Sequence, residues 1–376
     1  MVDMWLFPCG WVRCLVLALL MSPFSYGPFR AGAEETDNFY LPLDIGLADL
    51  GDFLGAVHTR AIEDAVQELN AEIERALAMK DPASLVRRLE RWHDPDTLAA
   101  TVARQFGAAL TETFRVERAL SGDWAKRAYP GMKPANQGIW MNFAGHCPID
   151  PRALNMLSQA ETVKAYGVYF GADKLTHFHQ LGWSYYQSYR SLRRAGLNEA
   201  EAYRKVLHRY AHTAFLAERN LFGTICTGVY SNGDMAVNHV GFKFFLNLTG
   251  RVVLKGQERE PLVVRCGVFW RVNHHVRPQS GWLAPFFSDH WNEALNPSLY
   301  DPTMRPGIRR VLRRRADSIV QFYTGKDGRP SNPAYFEDLA RELSTYYGEA
   351  YGHSGHFEKL MNIGTTCFPA LRERIE

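Results

Sequence analysis

The sequence predicts a mainly α protein of the α+β class, in which a helical core carries a small β insertion. Apolar residues recur at three- and four-residue steps in several stretches, which is the period of an amphipathic helix. A glycine-rich segment, 219–233, interrupts these stretches and has the composition of a hairpin or extended turn. The chain has 376 residues, of which 46% are apolar and 22% charged, so it is globular and long enough for about two to three domains. Its formal net charge of +3 argues against a dedicated nucleic-acid binder.

The first 33 residues are predicted to be a secretory signal. Arg13 precedes the apolar run 14–21, and the small-residue site Ala31-Gly32-Ala33 follows it. A membrane anchor is the alternative, but Pro23 interrupts the run well short of the ~20 residues that a bilayer span requires. We therefore expect an exported protein, periplasmic or secreted, with no integral membrane span after removal of the signal.

Four cysteines follow the predicted signal: Cys147, Cys226, Cys266 and Cys367. In an oxidising compartment this number suggests two disulfides, and three pairings are possible. None of the four belongs to a C-x-x-C pattern, so structural crosslinks are expected rather than redox or zinc chemistry.

Three regions are predicted after the signal: a helical N-terminal region (34–150), a core (151–260) and a C-terminal extension (261–376). In the first, an apolar stripe predicts a helix that ends at Asp81-Pro82, and Asp94-Pro95 begins another that runs toward Leu120. The stripe consists of Ile62, Val66, Leu69, Ile73 and Leu77. Further elements are predicted as helices over 173–195, 199–217 and 235–248, strands at 252–254, 262–264 and 268–269, and a basic helix over 309–323.

Glu218 is the strongest candidate for a catalytic residue. Helical steps place it on the buried face of the predicted helix 199–217, immediately before the glycine-rich turn. Burial and the negative end of the helix dipole both raise the pKa of a carboxyl group. A carboxylic acid that stays protonated near neutral pH can act as a general acid. The alternative is a structural glutamate that pairs with Arg219, Arg209 or a histidine.

The order of elements around Glu218 resembles the lysozyme-like superfamily: goose-type lysozymes, lytic transglycosylases and, more faintly, bacterial lysozymes that act on deacetylated peptidoglycan. The similarity covers about residues 170–250. It consists of Glu218, then Gly228-Val-Tyr-Ser231, then Asp234, Asn238 and Gly241 on the next helix. Arg219 departs from the serine that often follows the family's glutamate.

This resemblance implies a lysozyme-like core and an exported glycosidase that cleaves β-1,4 links in peptidoglycan glycan strands. Glu218 would protonate the glycosidic oxygen, and Tyr230 and Ser231 would orient the sugar or a water molecule. Asp234 is the candidate second carboxylate, with a helix cap as its alternative role. The residues expected to bind substrate are Gly228, Asn238, Tyr185 and Tyr186. No cofactor and no metal ligand are predicted.

Two other function classes stay open. A metal-dependent periplasmic hydrolase is the first, because His208 and His212 share a helical face and Asp173, Lys174 and His177 form a compact polar cluster. We interpret the cluster of Asp173, Lys174 and His177 as a helix cap with an i,i+4 pair between Asp173 and His177. A non-enzymatic protein of the envelope is the second, in which the arginines of 309–315 contact an anionic wall polymer or lipid headgroups, or form a solvated face.

Overall fold

The computed structural model describes residues 47–79, 81–106, 162–214, 217–219, 224, 228–302 and 304–373, except the side chain of Lys326. The predicted signal, Cys147 and Cys226 lie outside the described residues. Within them the protein is mainly helical and has small antiparallel sheets of two strands each, which confirms the predicted class. No helix in these ranges combines the length and the apolarity that a bilayer span requires.

The N-terminal region contains α1 (Gly51–Leu77), α2 (Pro82–Trp92) and α3 (Pro95–Gln105). Most of the predicted apolar stripe of α1 is buried, and α1 packs against α2 and α3. Asp81 and Asp94 act as the N-caps of α2 and α3, and a proline follows each of them. The start of α3 at Asp94-Pro95 was predicted, whereas Asp81-Pro82 was expected only to end a helix and α2 was not predicted. The predicted continuation of α3 toward Leu120 lies outside the described residues beyond Phe106.

A hairpin of β1 (Thr162–Ala165) and β2 (Val168–Gly171) leads into a long helix. This helix comprises α4 (Asp173–Thr176), a π-helical turn (His177–Leu181) and α5 (Gly182–Arg194). Asn198 then caps α6 (Glu199–His208), which ends in a second π-helical turn, Arg209–Thr213. The prediction of a helix to residue 217 was wrong, because Ala214 adopts an extended backbone with ψ of 150°.

The central helix of the protein is α7 (Asn232–Asn247), and every residue from Asn232 to Phe245 is buried. It begins three residues before the predicted start, and Ser231 caps it. Just before it, β3 (Val229–Tyr230) pairs with the distant strand β8 (Leu299–Tyr300). Two hairpins follow α7: β4 (Val252–Leu254) with β5 (Gln257–Arg259), and β6 (Val263–Cys266) with β7 (Phe269–Val272).

The C-terminal part contains α8 (Arg305–Arg314), α9 (Ala316–Gln321), α10 (Pro333–Glu342) and α11 (Phe368–Arg372). The predicted basic helix is therefore two helices, and it starts four residues earlier than expected. These helices form a second hydrophobic core, which also includes Val229 and Tyr300 from the β3–β8 pair. The first core joins α1, α3 and the β1–β2 hairpin to α5, α6 and α7. Among the described cysteines, Cys266 is exposed, Cys367 is buried, and both are free thiols.

Candidate functional site

Two glycines fix the helix crossing that builds the site. A Cβ on Gly182 would lie 2.6 Å from the carbonyl carbon of Gly241, and one on Gly241 would lie 2.1 Å from the carbonyl oxygen of Phe178. No side chain fits at either position, so the backbones of the long helix and α7 touch there. This contact holds Asp173, Lys174 and His177 beside the N-terminal turn of α7.

Lys174 lies at the centre of a buried charged cluster. Its side chain is fully buried, and its Nζ lies 2.8 Å from Asp173 Oδ2, 2.5 Å from Asp234 Oδ1 and 2.9 Å from Glu293 Oε1. Asp173, Asp234 and Glu293 are buried as well. An ammonium group held by carboxylates on three separate elements is the charge arrangement that a buried lysine requires.

Glu218 adds a fourth carboxyl group to this cluster. It is 3% exposed, and its Oε1 accepts the backbone N–H of Ser231 at 2.9 Å. The chain turns back before it, since the N–H of Glu218 donates to the carbonyl of Tyr210 at 3.2 Å. Burial raises the pKa of Glu218 well above its usual value, the charges of Asp234 and Glu293 raise it further, and Lys174 and the Ser231 N–H oppose them.

Charge balance accounts for the raised pKa of Glu218. Like charges at about 4 Å repel by roughly 4 kcal/mol at the effective dielectric of a protein, so one ammonium group cannot compensate four ionised carboxylates. Three of them contact Lys174, and burial raises the pKa of one of these, Asp173, as well. The cluster therefore contains a buried carboxyl group of raised pKa, Glu218, beside three carboxyl groups that contact Lys174.

Ser231 joins the parts of this cluster. Its Oγ accepts the N–H of Asp234 at 3.0 Å, as a helix N-cap, and donates to Glu293 Oε1 at 2.7 Å. The predicted cap is thus present, but Ser231 provides it, and the carboxylate of Asp234 is directed at Lys174 and His177 instead.

His177 is oriented by Asn238. Its Nδ1 lies 3.0 Å from Asn238 Oδ1, and its Nε2 lies 3.4 Å from Asp234 Oδ2. Because an amide oxygen accepts a hydrogen bond, Nδ1 donates to Asn238, and Nε2 faces the carboxylate of Asp234. Ligand atoms of Asp173, His177 and Asp234 lie within 4.8 Å of one another, and no other such trio exists among the described residues. Two carboxylates and an oriented imidazole suit a divalent cation, although Lys174 would have to withdraw.

Other predicted site residues are buried or hydrogen-bonded within the protein and have structural roles. Tyr185 and Tyr186 lie in the core: the ring of Tyr185 stacks on Tyr210 at 4.4 Å, and the hydroxyl of Tyr186 donates to Asp96. Neither ring offers a face to a sugar here. The hydroxyl of Tyr230 donates to the carbonyl of Gly352 at 2.5 Å, so it is directed at the backbone.

Gly228 also has a structural role, in the backbone just before β3. It has a φ of +76°, and a Cβ there would lie 2.4 Å from the Sδ of Met304. Its carbonyl accepts the N–H of Asp301, next to the β3–β8 pair. Gly228 therefore positions β3, which directly precedes Ser231.

Sequence reasoning missed two members of the cluster. Glu293 follows a tryptophan-bearing loop and has no motif around it, so nothing in the sequence relates it to Lys174, 119 residues away. Lys174 was seen as part of a polar cluster at a helix start, where an exposed residue is the usual outcome. His208 and His212 do lie together, with ring centroids 5.3 Å apart.

A large cavity lies elsewhere, along the basic helix α8. It has a volume of about 660 Å³ and is lined by five arginines of the segment 305–314. None of its lining residues belongs to the Lys174 cluster.

Comparison of the chain with protein-family models, curated proteins and solved structures found no match. The functional proposal therefore depends on the geometry of the site.

Proposed function

We propose that the protein is an exported glycosidase of the lysozyme-like kind, which cleaves peptidoglycan glycan strands with Glu218 as its general acid. One observation carries the proposal: Glu218 is buried with a raised pKa, and it lies in the same cluster as three carboxyl groups that contact Lys174. Two kinds of carboxyl group with opposite protonation states are what glycoside hydrolysis requires.

In the proposed reaction Glu218 gives its proton to the glycosidic oxygen while the bond from that oxygen to the anomeric carbon breaks. Positive charge develops on the sugar ring, and the ionised carboxylates of Asp234 and Glu293 stabilise it electrostatically. Water then adds to the anomeric carbon and returns a proton to Glu218. Since Glu218 is 3% exposed, the groups that cover it must move before a glycan reaches it.

The substitution Glu218→Gln tests the proposal. It keeps the shape of the side chain and the acceptor for the Ser231 N–H but removes the transferable proton, so we expect a loss of about 10²- to 10⁴-fold in glycan cleavage. Release of reducing ends from native and N-deacetylated peptidoglycan measures it. The activity of the unmodified enzyme should fall as the pH rises past the raised pKa of Glu218, because the ionised form cannot donate.

Glu63→Gln, at an exposed position of α1, is the matched control and should keep full activity. Both variants should bind intact walls in a sedimentation assay. If the wild-type protein leaves both forms of peptidoglycan uncut, or if Glu218→Gln cuts as fast as wild type, the proposal is wrong.

A metal-dependent hydrolase is the second candidate, and the orientation of His177 by Asn238 favours it. A bound divalent cation would supply an activated water molecule, with Asp173, His177 and Asp234 as its protein ligands. Calorimetric titration with Mn²⁺ or Zn²⁺ should then show one site, and Asn238→Ala should weaken it by about 10- to 100-fold. Activity that survives chelation but not Glu218→Gln would favour the first candidate over this one.

A further inference from the structure

Three tight turns from distant parts of the chain meet at one cavity, whose lining includes no member of the Lys174 cluster. The cavity has a volume of about 290 Å³. Its walls include Tyr166 from the β1–β2 turn, Lys255 from the β4–β5 turn, and Tyr347 from the turn between the bridged residues Tyr346 and Glu349. Each turn has two residues, and the second is a glycine.

The backbone of these turns is unfavourable for the residues that occupy it. Tyr166, Lys255 and Tyr347 have φ values of +50°, +52° and +50°, and they are the non-glycine residues with positive φ in the described part of the chain. A left-handed conformation costs such a residue about 1 kcal/mol, and turns of this kind favour Asn, Asp or Gly at the first position. All three large side chains nevertheless line one cavity. Unfavourable backbone that concentrates at one place is typical of a binding site.

Most polar groups of the wall are already engaged. Both terminal nitrogens of Arg329 donate to Asp289 at 3.0 Å. The ring of His290 is held on both sides, by Ser288 Oγ at 3.0 Å and by the carbonyl of Thr345 at 2.9 Å. Asp289, Ser288 and His290 are therefore already hydrogen-bonded within the protein.

Lys255 differs from its neighbours. Its side chain is half-buried in the wall, and it forms no ion pair within the ranges that the structure describes. Burial lowers the pKa of its ammonium group, and the charge of Asp289, which lines the same cavity and is paired with Arg329, opposes this shift only in part. An anionic group placed in the cavity would restore the solvation that Lys255 loses on burial.

The aromatic rings and polar groups of the cavity wall indicate what the rest of the ligand should be. The rings of Tyr166 and Phe287, 5.1 Å apart, and the half-exposed ring of Tyr347 offer apolar surface, while Ser288 and Glu342 contribute polar groups. The volume is below the usual range for drug-sized ligands, so it suits a single ring. Aromatic faces contact the C–H surface of a sugar, and carboxylates and hydroxyls accept its O–H groups.

We propose that this cavity binds an acidic monosaccharide, with its carboxylate on Lys255 and its ring against Tyr166 and Tyr347. The site does not depend on Glu218 or on the function proposed above. The backbone conformation of Lys255 provides a sharp test, because glycine adopts positive φ without strain. The variant Lys255→Gly should therefore keep or raise the melting temperature while it removes the ammonium group from the cavity.

Calorimetric or NMR titration with D-glucuronate, D-glucose and benzoate distinguishes the outcomes. We expect D-glucuronate to bind at least tenfold more tightly than D-glucose, and Lys255→Gly to weaken D-glucuronate binding by at least tenfold at an unchanged or raised melting temperature. Lys359→Gln, an exposed lysine outside the cavity, should bind like wild type. Failure of D-glucuronate to bind, equal binding of D-glucose, preference for benzoate, or undiminished binding by Lys255→Gly would each overturn the proposal.

Discussion

At the scale of single residues, Lys174 determines the charge state of the candidate site. Its ammonium group contacts carboxylates from the start of the long helix, from α7 and from the segment after Trp291. A buried ion pair contributes little net stability, but removal of one partner leaves the other charges without compensation. Removal of Lys174 should therefore destabilise the protein far more than removal of a lysine from an exposed ion-pair network.

The variant Lys174→Met should lose about 3–5 kcal/mol of unfolding free energy at pH 7, because Asp173, Asp234 and Glu293 then stay buried without a cation. Urea denaturation measures the change. The matched control is Lys243→Met: this lysine is also buried, but its partner Glu349 is 34% exposed, so water can solvate the carboxylate that remains, and the loss should be smaller. If both variants lose equally little, the cluster does not have the charge distribution described here.

Several residues of the site were named from the sequence, but the complete set of charged residues in the cluster was not. Glu218, Ser231, Asp234 and Asn238 were expected in one site through the family resemblance. Hydrogen bonds and charges connect the first three around the start of α7, and Asn238 contacts His177 beside them. Glu293 could not be found in this way, since its partners belong to elements that are distant in the sequence.

At the scale of elements, the crossing of the long helix with α7 is what aligns the two halves of the site. Both helices were predicted, and the predicted start of α7 at residue 235 was three residues too late. The contact between Gly182 and Gly241 was not predictable, because a glycine in a helix shows a close approach only when its partner is known. The π-helical turns of the long helix and of α6 have no distinct sequence signal either.

The variant Gly241→Ala tests this crossing. The added Cβ would meet the carbonyl oxygen of Phe178, a backbone atom that cannot move without the helix, so we expect a loss of about 1–3 kcal/mol or more in unfolding free energy. Gly325→Ala is the control, since a Cβ there meets nothing within 4 Å, and it should be neutral or slightly stabilising. Thermal denaturation of both variants measures the difference. A Gly241→Ala variant as stable as the control would mean that the helices are not in backbone contact.

At the scale of the whole molecule, two hydrophobic cores share one chain. The sequence predicted a C-terminal extension from residue 261, but Trp270, Trp282 and Trp291 of that extension pack in the first core. The second core contains mainly residues after Ala294, together with Val229. Hydrophobic periodicity identifies which side of a helix is buried but not which other elements it packs against, so the sequence could not assign these tryptophans to a core.

Cysteine labelling can show whether the two cores unfold together. Cys367 is buried in the second core, and burial raises the pKa of its thiol to about 12, so the reactive thiolate is suppressed in the folded state. We expect iodoacetamide to modify exposed Cys266 rapidly and Cys367 only after unfolding, with mass spectrometry to locate the label. The five described tryptophans belong to the first core or pack against it, so the contribution of these five residues to the fluorescence follows that core. If the cores are one cooperative unit, Cys367 becomes reactive at the urea concentration at which fluorescence changes. Labelling of Cys367 at lower urea, while the fluorescence is still native, would show that the C-terminal helices open by themselves.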